Sequence, residues 1–369
     1  MFDVAVVGAG MAGLICAQRL QHRGYQVVVL EKSRGLGGRV ATRRLQDTWA
    51  DHGLRCLEDQ GIFSQALVQK LFEQGVIHLW TDIIHTADGG KLQESERHPR
   101  YVAADGITAI AKFLATGLEI CRGQRVQAIA PTSAQTWALT LEAADWATAL
   151  TETTIAKSLV LAIPAPQAVP LLEPFANQMP DLLAAVRSVE FAPCITAIAT
   201  YAPQQVKLAD ISWKAAGSET SDLAWIGLET SKHPESAKPV IVAQSSAQFA
   251  DRHLESTDLK SVGQQLLKTA QDLMGQDLLP WLSHPEDLQV HRWRYGFVAQ
   301  PIADFCLSTK QPLPLVCSGD WCGGNQLESA LQSGWTAAEQ TAILLQEKGI
   351  FGGDRSGSFG DLLNSLSLV

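Results

Sequence analysis

The sequence lacks the features that mark membrane, nucleic-acid-binding and disulfide-rich proteins. It has no stretch of about 18 uninterrupted apolar residues, so it predicts no transmembrane helix. Its 29 lysines and arginines are outnumbered by 38 aspartates and glutamates, and this acidic balance disfavours nucleic acid or a membrane surface as a partner. The seven cysteines form no C-x-x-C pair and are odd in number, which argues against a disulfide framework or a metal site and indicates a reducing compartment.

A targeting segment is also not evident. The apolar stretch VAVVGAGMAGLICA has no basic residue before it and contains three glycines, which indicates a buried strand and turn rather than a signal peptide. We therefore expect a cytoplasmic protein. Hydrophobic residues make up 46% of the 369 positions and charged residues 18%, as in globular proteins, and this length suits two domains or one discontinuous pair.

The first 31 residues carry a dinucleotide-binding pattern. A short apolar strand leads into Gly8-Ala9-Gly10-Met11-Ala12-Gly13, a G-x-G-x-x-G sequence that opens a helix. A second strand ends at Glu31, 18 residues after Gly13, near the spacing of an acid that binds a ribose hydroxyl. Gly8 permits the turn, Gly10 lets a pyrophosphate approach the backbone, and Gly13 lets helix and strand pack. The helix N-terminus then faces the phosphates.

The turn that begins at Glu31 reads EKSRGLGGR and holds one acid, three bases and three glycines in nine positions. A simple NAD site needs no second basic, glycine-rich turn, whereas FAD has a pyrophosphate to cover and a ribityl chain to thread past the backbone. Arg34 and Arg39 can pair with phosphate, and Gly38 allows close approach. For Lys32, solvated surface charge is the favoured interpretation, and cofactor binding is the alternative.

Later segments fit the same cofactor. A helix is predicted from Asp105, its N-cap, to about residue 117, and strands are predicted at residues 124–129, 137–141 and 158–163. Near the end, a strand at residues 315–317 enters a turn at Asp320, which either holds a ribityl hydroxyl or caps the turn. A long amphipathic helix from Leu327 follows, and its N-terminus is suited to stabilise reduced flavin.

These segments together resemble the renalase branch of the flavin amine-oxidase superfamily. The matching stretches, in chain order, are VAVVGAGMAGL, EKSRGLGGR, WADHGLRC, YVAADGITAIAKFLA, SLVLAIPAPQAVPLL, FAPC, HRWRYGF and SGDWCGGNQLESALQSG. Each is modest alone, but their order is specific, and they run nearly from end to end of the chain.

The resemblance implies an α/β fold with a discontinuous Rossmann-type FAD-binding domain and an α+β substrate domain whose antiparallel sheet covers the flavin. We expect residues 1–58, 100–165 and 288–348 in the FAD-binding domain and residues 59–99 and 166–287 in the substrate domain. Residues 349–369 begin Gly/Ser-rich and are expected to be a mobile tail. Whether its last apolar residues dock on the body of the protein or on a partner stays open.

The resemblance also implies non-covalent FAD; a covalent link through Cys322 is the disfavoured alternative. It implies oxidation of misreduced, 2- or 6-dihydro NAD(P) to NAD(P)+ by hydride transfer to flavin, with O2 as acceptor and H2O2 as product. Hydride transfer needs no general base, so the lack of a nucleophile–His–acid set is expected. The cofactor-binding candidates are Gly8, Gly10, Met11, Ala12, Gly13, Glu31, Lys32, Arg34, Gly38, Arg39, Gly53, Val126, Asp320, Gln326 and Leu327.

The substrate pocket departs from this family. Where relatives read D-x-G-A-Q-Y, the chain has Asp51-His52-Gly53-Leu54-Arg55-Cys56. Gln244 stands where a pocket histidine is expected, while Trp293 keeps the expected aromatic residue. The candidate catalytic residues are thus Trp293, Gln244, Cys56 and Arg55. Cys56 is alternatively a small buried hydrophobe, and Arg55 a surface charge.

Three functions stay open on the sequence. In the first, the same reaction continues, with Trp293 stacking on the substrate ring and Arg55 attracting a dinucleotide phosphate. In the second, the substrate is an amine or another hydride donor. In the third, the chain is a non-catalytic flavin-binding protein. The choice between NAD and NADP and the oligomeric state also stay open.

Overall fold

The computed structural model describes residues 1–369 except 89, 96, 148–152, 207, 209–210, 234, 237, 276–278, 354–356 and 367–369. Its strands are β1 (Phe2–Val7), β2 (Val27–Glu31), β3 (Thr42–Arg44), β4 (Trp49–Asp51), β5 (Ile77–Thr81), β6 (His85–Asp88), β7 (Lys91–Glu94), β8 (Arg100–Ala103), β9 (Glu119–Arg122), β10 (Gln124–Pro131), β11 (Trp137–Ala143), β12 (Thr153–Leu161), β13 (Glu190–Thr200), β14 (Ala215–Gly217), β15 (Leu223–Leu228), β16 (Val240–Ser245), β17 (Asp287–Gln300), β18 (Leu307–Thr309) and β19 (Leu315–Cys317). Its helices are α1 (Met11–His22), α2 (Ile62–Glu73), α3 (Thr108–Leu114), α4 (Ala165–Leu172), α5 (Pro180–Arg187), α6 (Ala247–His253), α7 (Leu259–Met274), α8 (Leu327–Gln346) and α9 (Phe359–Asn364).

The first sheet has a parallel centre, β9-β2-β1-β12-β19, flanked by the antiparallel strands β10, β11 and β18. Its central strands are apolar and buried on both faces, as parallel strands covered by helices must be. Because side chains alternate along a strand, Val4 and Val6 pack under α1 and α8, while Ala5 and Val7 pack under α4 and α5. This is the Rossmann-like part of the predicted α/β fold.

The second sheet has the order β17-β13-β16-β15-β14-β6-β7 and is antiparallel except where β14 pairs with β6. Its residues Ile195, Ala197 and Ala243 pack against apolar residues of α6 and α7. The alternating residues therefore face the opposite side, toward the loop after β4. The prediction of a second domain with a largely antiparallel sheet is confirmed.

The packing divides the chain differently from the expected boundaries. Helix α2 buries Leu67 and Leu71 in the same core as α1 and α8, and α4 and α5 cover the other face of the first sheet. Strand β17 pairs with β13 of the second sheet. Residues 62–73 and 165–187 thus lie with the first sheet, and residues 287–300 with the second, because an amphipathic segment does not reveal which sheet it covers.

Two local predictions also change. Helix α3 is capped at Ile107, without a side-chain cap, and Asp105 is exposed before it; Ile107 N donates instead to Asp51, at 2.8 Å. In the segment expected to be a mobile tail, α9 buries Phe359 and Leu363 in the core that α1 and α8 share. Docking on the body replaces mobility for residues 357–366. None of the described helices is both long and apolar enough to cross a membrane.

Candidate functional site

The glycine loop between β1 and α1 has the geometry of a phosphate cradle. Gly8 has φ +103°, and a Cβ there would lie 2.5 Å from the carbonyl oxygen of Ala162, so only glycine fits. A Cβ at Gly13 would overlap the carbonyl oxygen of Gly8, whereas a Cβ at Gly10 would meet no atom within 4 Å. The N-terminus of α1 has no side-chain cap, so its N–H groups and dipole are available to an anion beside Gly10.

The second glycine-rich turn lies directly against this cradle. Gly37 N donates to the carbonyl oxygen of Ala9 at 2.8 Å, and a Cβ at Gly38 would come within 3.6 Å of the Gly10 Cα. Glu31 fixes both turns, because its carboxylate accepts from Ala9 N at 2.8 Å and from Ser33 N at 2.7 Å. The structure therefore brings together the two motifs that the sequence linked to one cofactor.

Arg39 and Asp320 meet at the far side of the cradle. Their side chains form a bidentate ion pair, with Nη1–Oδ2 at 2.7 Å and Nη2–Oδ1 at 2.8 Å. Arg39 also donates weakly to the carbonyl oxygen of Gly296, at 3.4 Å. Asp320 precedes α8, whose first residue, Leu327, follows an exposed Gln326. The pair thus connects the second glycine turn to the helix that was expected to approach the flavin.

Other cofactor candidates lie in different surroundings. Lys32 is exposed and donates to Gln167 Oε1 at 3.0 Å, and Arg34 is exposed with its guanidinium 4.9 Å from the ring centre of Trp146. Its contact makes Lys32 a surface charge, the favoured interpretation. The phosphate contact of Arg34 stays a prediction. Met11 and Ala12 are buried at the start of α1, next to the cradle, and Val126 is buried in β10 against residues of the first sheet.

These residues fit FAD. The open space at Gly10, the uncapped helix N-terminus, the acid at the end of β2 and the cation Arg39 match a dinucleotide with a pyrophosphate and a ribose.

The second sheet presents a row of side chains toward the loop after β4. Register places Trp225, Gln244, Thr196 and His291 directly opposite one another across four strands, so they share one face. Trp293, two residues after His291, lies on the same face, and its indole N–H donates to the carbonyl oxygen of His52 at 3.0 Å.

Arg55 and Gln244 are in direct contact. Arg55 Nε donates to Gln244 Oε1 at 2.6 Å, and Gln244 Nε2 donates to the carbonyl oxygen of Gly53 at 2.8 Å. The guanidinium lies over Trp225, 4.7 Å from the ring centre. No carboxylate of the described residues forms an ion pair with this guanidinium. Glu58 affects the guanidinium only from a longer distance and is itself paired with Arg100. Two residues predicted separately therefore form one cationic group.

Gly53 lies where protein atoms leave no room for a side chain. A Cβ there would overlap the carbonyl oxygen of Arg39 and lie 3.4 Å from Trp293 Cζ2. Gly53 consequently joins the cradle, through Arg39, to the second sheet, through Trp293 and Gln244.

Trp293, His52 and His291 form an aromatic cluster. Ring centres are 5.2 Å apart for His52 and Trp293, 5.0 Å for the two histidines and 4.3 Å for His291 and Trp293. Burial, together with His291 and Arg43, lowers the pKa of His52 to about 3. Burial and Arg43 lower the pKa of His291 to about 4. Both imidazoles are therefore neutral near pH ~7.

Cys56 does not join this cluster. It is buried with Trp80, Val102, Ala215 and Trp225 in an apolar group, and burial is the main cause that raises the pKa of its thiol to about 12. A thiol in such surroundings is protonated and unreactive. The structure corrects its assignment as a catalytic residue and assigns it to packing, the alternative that the sequence left open.

Sequence reasoning missed an ion cluster beneath Arg55. Lys232 and Glu229 pair at 2.7 Å, and Lys232 and Asp51 at 3.4 Å. The only local signal was the Glu229-x-x-Lys232 spacing, which occurs on many exposed helices. Asp51 was visible within the WADHGLRC motif, but its partners lie in a distant segment.

The chain is matched by two family models. The model of flavin containing amine oxidoreductases matches residues 85–342, and that of NAD(P)-binding Rossmann-like domains matches residues 6–74. Over 50 residues the chain is 54% identical to L-amino acid oxidase Cdc18 of Crotalus durissus cumanensis. This match covers 14% of this chain and 10% of that protein. Over 59 residues it is 42% identical to Lysine-specific histone demethylase 1 homolog 1 of Arabidopsis thaliana, covering 16% and 7%. The matched segments thus span about a tenth or less of these relatives.

Solved structures share the whole architecture. Cyclohexylamine oxidase from Brevibacterium oxydans IH-35A aligns with a TM-score of 0.68 at 12% identity, over 94% of this chain and 99% of that chain. A putrescine oxidase bound to putrescine aligns with a TM-score of 0.66 at 14% identity, over 92% and 98%. At these identities the likeness shows the fold.

Proposed function

The chain belongs to the flavin-containing amine oxidoreductase family, and from that premise we propose that it is an FAD-dependent oxidoreductase whose substrate is a misreduced nicotinamide dinucleotide. In this proposal the chain is a renalase-like member of the family, which oxidises 2- or 6-dihydro NAD(P) to NAD(P)+. O2 is the proposed acceptor, and a cytoplasmic location remains a prediction.

The observation that carries the proposal is the charge of Arg55. Its guanidinium faces the second sheet. Nε donates to Gln244, and among the described residues the guanidinium has no carboxylate partner. A cation that is partly removed from water favours an anionic ligand, and a guanidinium can bind a phosphate through two parallel hydrogen bonds. A dinucleotide brings such a group, whereas a simple alkylamine brings a second cation.

The aromatic cluster supports the same choice. Burial, with Arg43 as a smaller cause, lowers the pKa values of both imidazoles, so His52 and His291 bring no positive charge. Neither ring offers a carboxylate to an ammonium group. Neutral imidazole and indole rings suit a flat nicotinamide ring, which they can contact face-on or edge-on. The site thus combines apolar aromatic surface with a cationic group.

The reaction asks the chain for binding and orientation. FAD, when bound, supplies a hydride acceptor that O2 reoxidises with release of H2O2. Trp293, His52 and His291 would orient the dihydronicotinamide ring and exclude water from it. Arg55, held by Gln244, would bind the substrate's phosphate. The substrate's ring gives up no proton in the hydride step, so no residue is required as a general base.

Oxidation of an amine is the second candidate function. It is favoured by the likeness to cyclohexylamine oxidase and putrescine oxidase in fold, and to an L-amino acid oxidase over 50 residues. An amino acid carries a carboxylate that Arg55 could also bind, so a charge test alone does not separate it from a dinucleotide.

Substrate kinetics with wild type and R55M decide between the two. We expect the 6-dihydro isomer of NAD to reduce the flavin, and R55M to raise its KM by about ten-fold or more with a smaller change in kcat. L-amino acids, putrescine and cyclohexylamine should leave the flavin oxidised. Reduction by an amine or an amino acid, and not by the dinucleotide, would replace the proposal with the second candidate.

A further inference from the structure

Lys232, Asp51 and Glu229 form a buried ion cluster, with 2%, 1% and 2% of their surfaces exposed. The Lys232 ammonium donates to Glu229 Oε1 at 2.7 Å, to the main-chain oxygen of Arg55 at 2.8 Å and to Asp51 Oδ2 at 3.4 Å. An ammonium group has three donors, and each has an acceptor here. One of the three acceptors belongs to the residue that carries the proposed substrate contact.

The cluster joins the second sheet to strand β4, which pairs with β3. Glu229 and Lys232 lie after β15 of the second sheet, and Glu229 Oε2 accepts from Asp51 N at 2.9 Å. Asp51 Oδ1 accepts from Thr42 Oγ1 at 2.7 Å and from Ile107 N at 2.8 Å. The loop that carries Gly53 and Arg55 is therefore fixed at one end, through Asp51, by Thr42 of β3 and the main chain of Ile107. Lys232 fixes it at Arg55.

We propose that Lys232 is a positioning residue for the substrate: its ammonium holds the main chain of Arg55 so that the guanidinium meets Gln244 and the substrate's anionic group. The inference rests on the proposed function. Lys232 acts through Arg55, since its Nζ is committed to three protein acceptors and its side chain is buried.

The charges of the cluster favour a permanent ammonium. Burial lowers the pKa of Lys232, but the Glu229 and Asp51 carboxylates outweigh this and raise it above its ordinary value. The indole of Trp80, with its ring centre 5.4 Å from Nζ, adds a cation–π contact. The hydrogen bond to Arg55 is therefore made by a charged donor, the stronger kind.

Removal of Lys232 alone would leave two buried carboxylates without their cation and could prevent folding. The test therefore compares E229Q, which keeps the ammonium, with the double variant K232M/E229Q, whose cluster has the same formal charge as the wild type. Both are studied as FAD-loaded enzymes. K268M, which changes an exposed lysine paired with Asp272 in α7, is the matched control and should behave as wild type.

Two readouts are measured. The first is amide hydrogen exchange of residues 51–56, which we expect to be about ten-fold faster in K232M/E229Q than in E229Q, because the loop loses its central tie. The second is the kinetics with 6-dihydro NAD: KM should rise about ten-fold from E229Q to K232M/E229Q, with kcat within about two-fold. In an R55M background the same step should leave KM unchanged, since Lys232 then has no guanidinium to position.

The outcomes separate this inference from the function on which it rests. Unchanged exchange of residues 51–56, or a KM rise that persists in R55M, overturns the positioning role of Lys232. If R55M itself leaves KM unchanged, or if the dinucleotide does not reduce the flavin, the proposed function fails instead. The exchange rates then still decide whether Lys232 holds the Arg55 loop.

Discussion

Arg39 and Asp320 are 281 positions apart in the chain, yet they form a two-pronged ion pair with N–O distances of 2.7 and 2.8 Å. The pair joins the second glycine turn to the segment before α8. The side chains of Arg39 and Asp320 are 31% and 15% exposed. The surrounding fold therefore restricts the orientation of this ion pair. The direction of Arg39 in the cofactor cradle is therefore set by a residue near the other end of the chain.

Replacing Asp320 should weaken cofactor binding. D320N keeps the shape of the side chain but removes the charge that orients Arg39, and it weakens the proposed contact with a ribityl hydroxyl. We therefore expect the Kd for FAD to rise by about ten-fold or more. Fluorescence titration of FAD into apoprotein measures this. D82N, which breaks the exposed Arg97–Asp82 pair, should leave the affinity unchanged, and equal affinity in D320N and wild type would refute the role.

Replacement by alanine should impair FAD binding at Gly10 and stability at Gly13. A Cβ at Gly10 meets no atom within 4 Å, whereas a Cβ at Gly13 overlaps the Gly8 carbonyl. G10A should fold with the thermal midpoint of wild-type apoprotein but fail to retain FAD, because the methyl group occupies the phosphate's approach. G13A should lose about 3 kcal/mol or more in the free energy of unfolding. Urea unfolding and the FAD content after gel filtration check both, and retention of FAD by G10A would contradict the cradle.

Glu229 should make stability depend on pH. Burial, partly opposed by Lys232, raises its pKa from 4.5 to about 7. The native state then keeps a proton that the unfolded state has released, so the free energy of unfolding falls as pH rises through this window. E229Q cannot titrate, and its stability relative to wild type should improve by up to about 3 kcal/mol between about pH 5 and about pH 8. Urea unfolding across this range measures the difference; parallel curves for the two proteins would show that Glu229 has an ordinary pKa.

His52 and His291 should not titrate near neutral pH. Their pKa values are lowered, mainly by burial, to about 3 and about 4, so their NMR signals should stay constant between about pH 5.5 and about pH 8. H52N and H291N assign the two signals. R43Q, which removes a cation that lowers both pKa values, should shift both upward. An inflection near pH ~6.5 in the wild type would contradict the neutral cluster.

The cofactor end could be predicted from the sequence because its signals are local. The glycines between β1 and α1, and Glu31 at the end of β2, lie within one β-α-β unit whose spacing reflects its geometry. The second glycine turn indicated that the dinucleotide is FAD, and the structure places Gly37 and Gly38 against that unit.

The rest depends on pairs of residues that are distant in sequence. Nothing local to Arg39 indicates Asp320, and nothing near Lys232 indicates Arg55, since each partner comes from another element of the fold. Cys56 was assigned to chemistry from its motif, but its neighbours Trp80, Val102 and Trp225 make it a core residue. The docking of α9 was equally unreadable, because a Gly/Ser-rich start masks the short apolar helix that follows.

The most direct test of the proposed substrate is an anaerobic absorption spectrum of the purified, FAD-loaded protein before and after addition of 2- or 6-dihydro NAD. The account predicts rapid bleaching of the flavin bands, formation of one NAD+ for each flavin reduced, and return of colour with H2O2 when air is admitted. Flavin bands that do not bleach with either isomer, but do bleach with an amine or an L-amino acid, would contradict it.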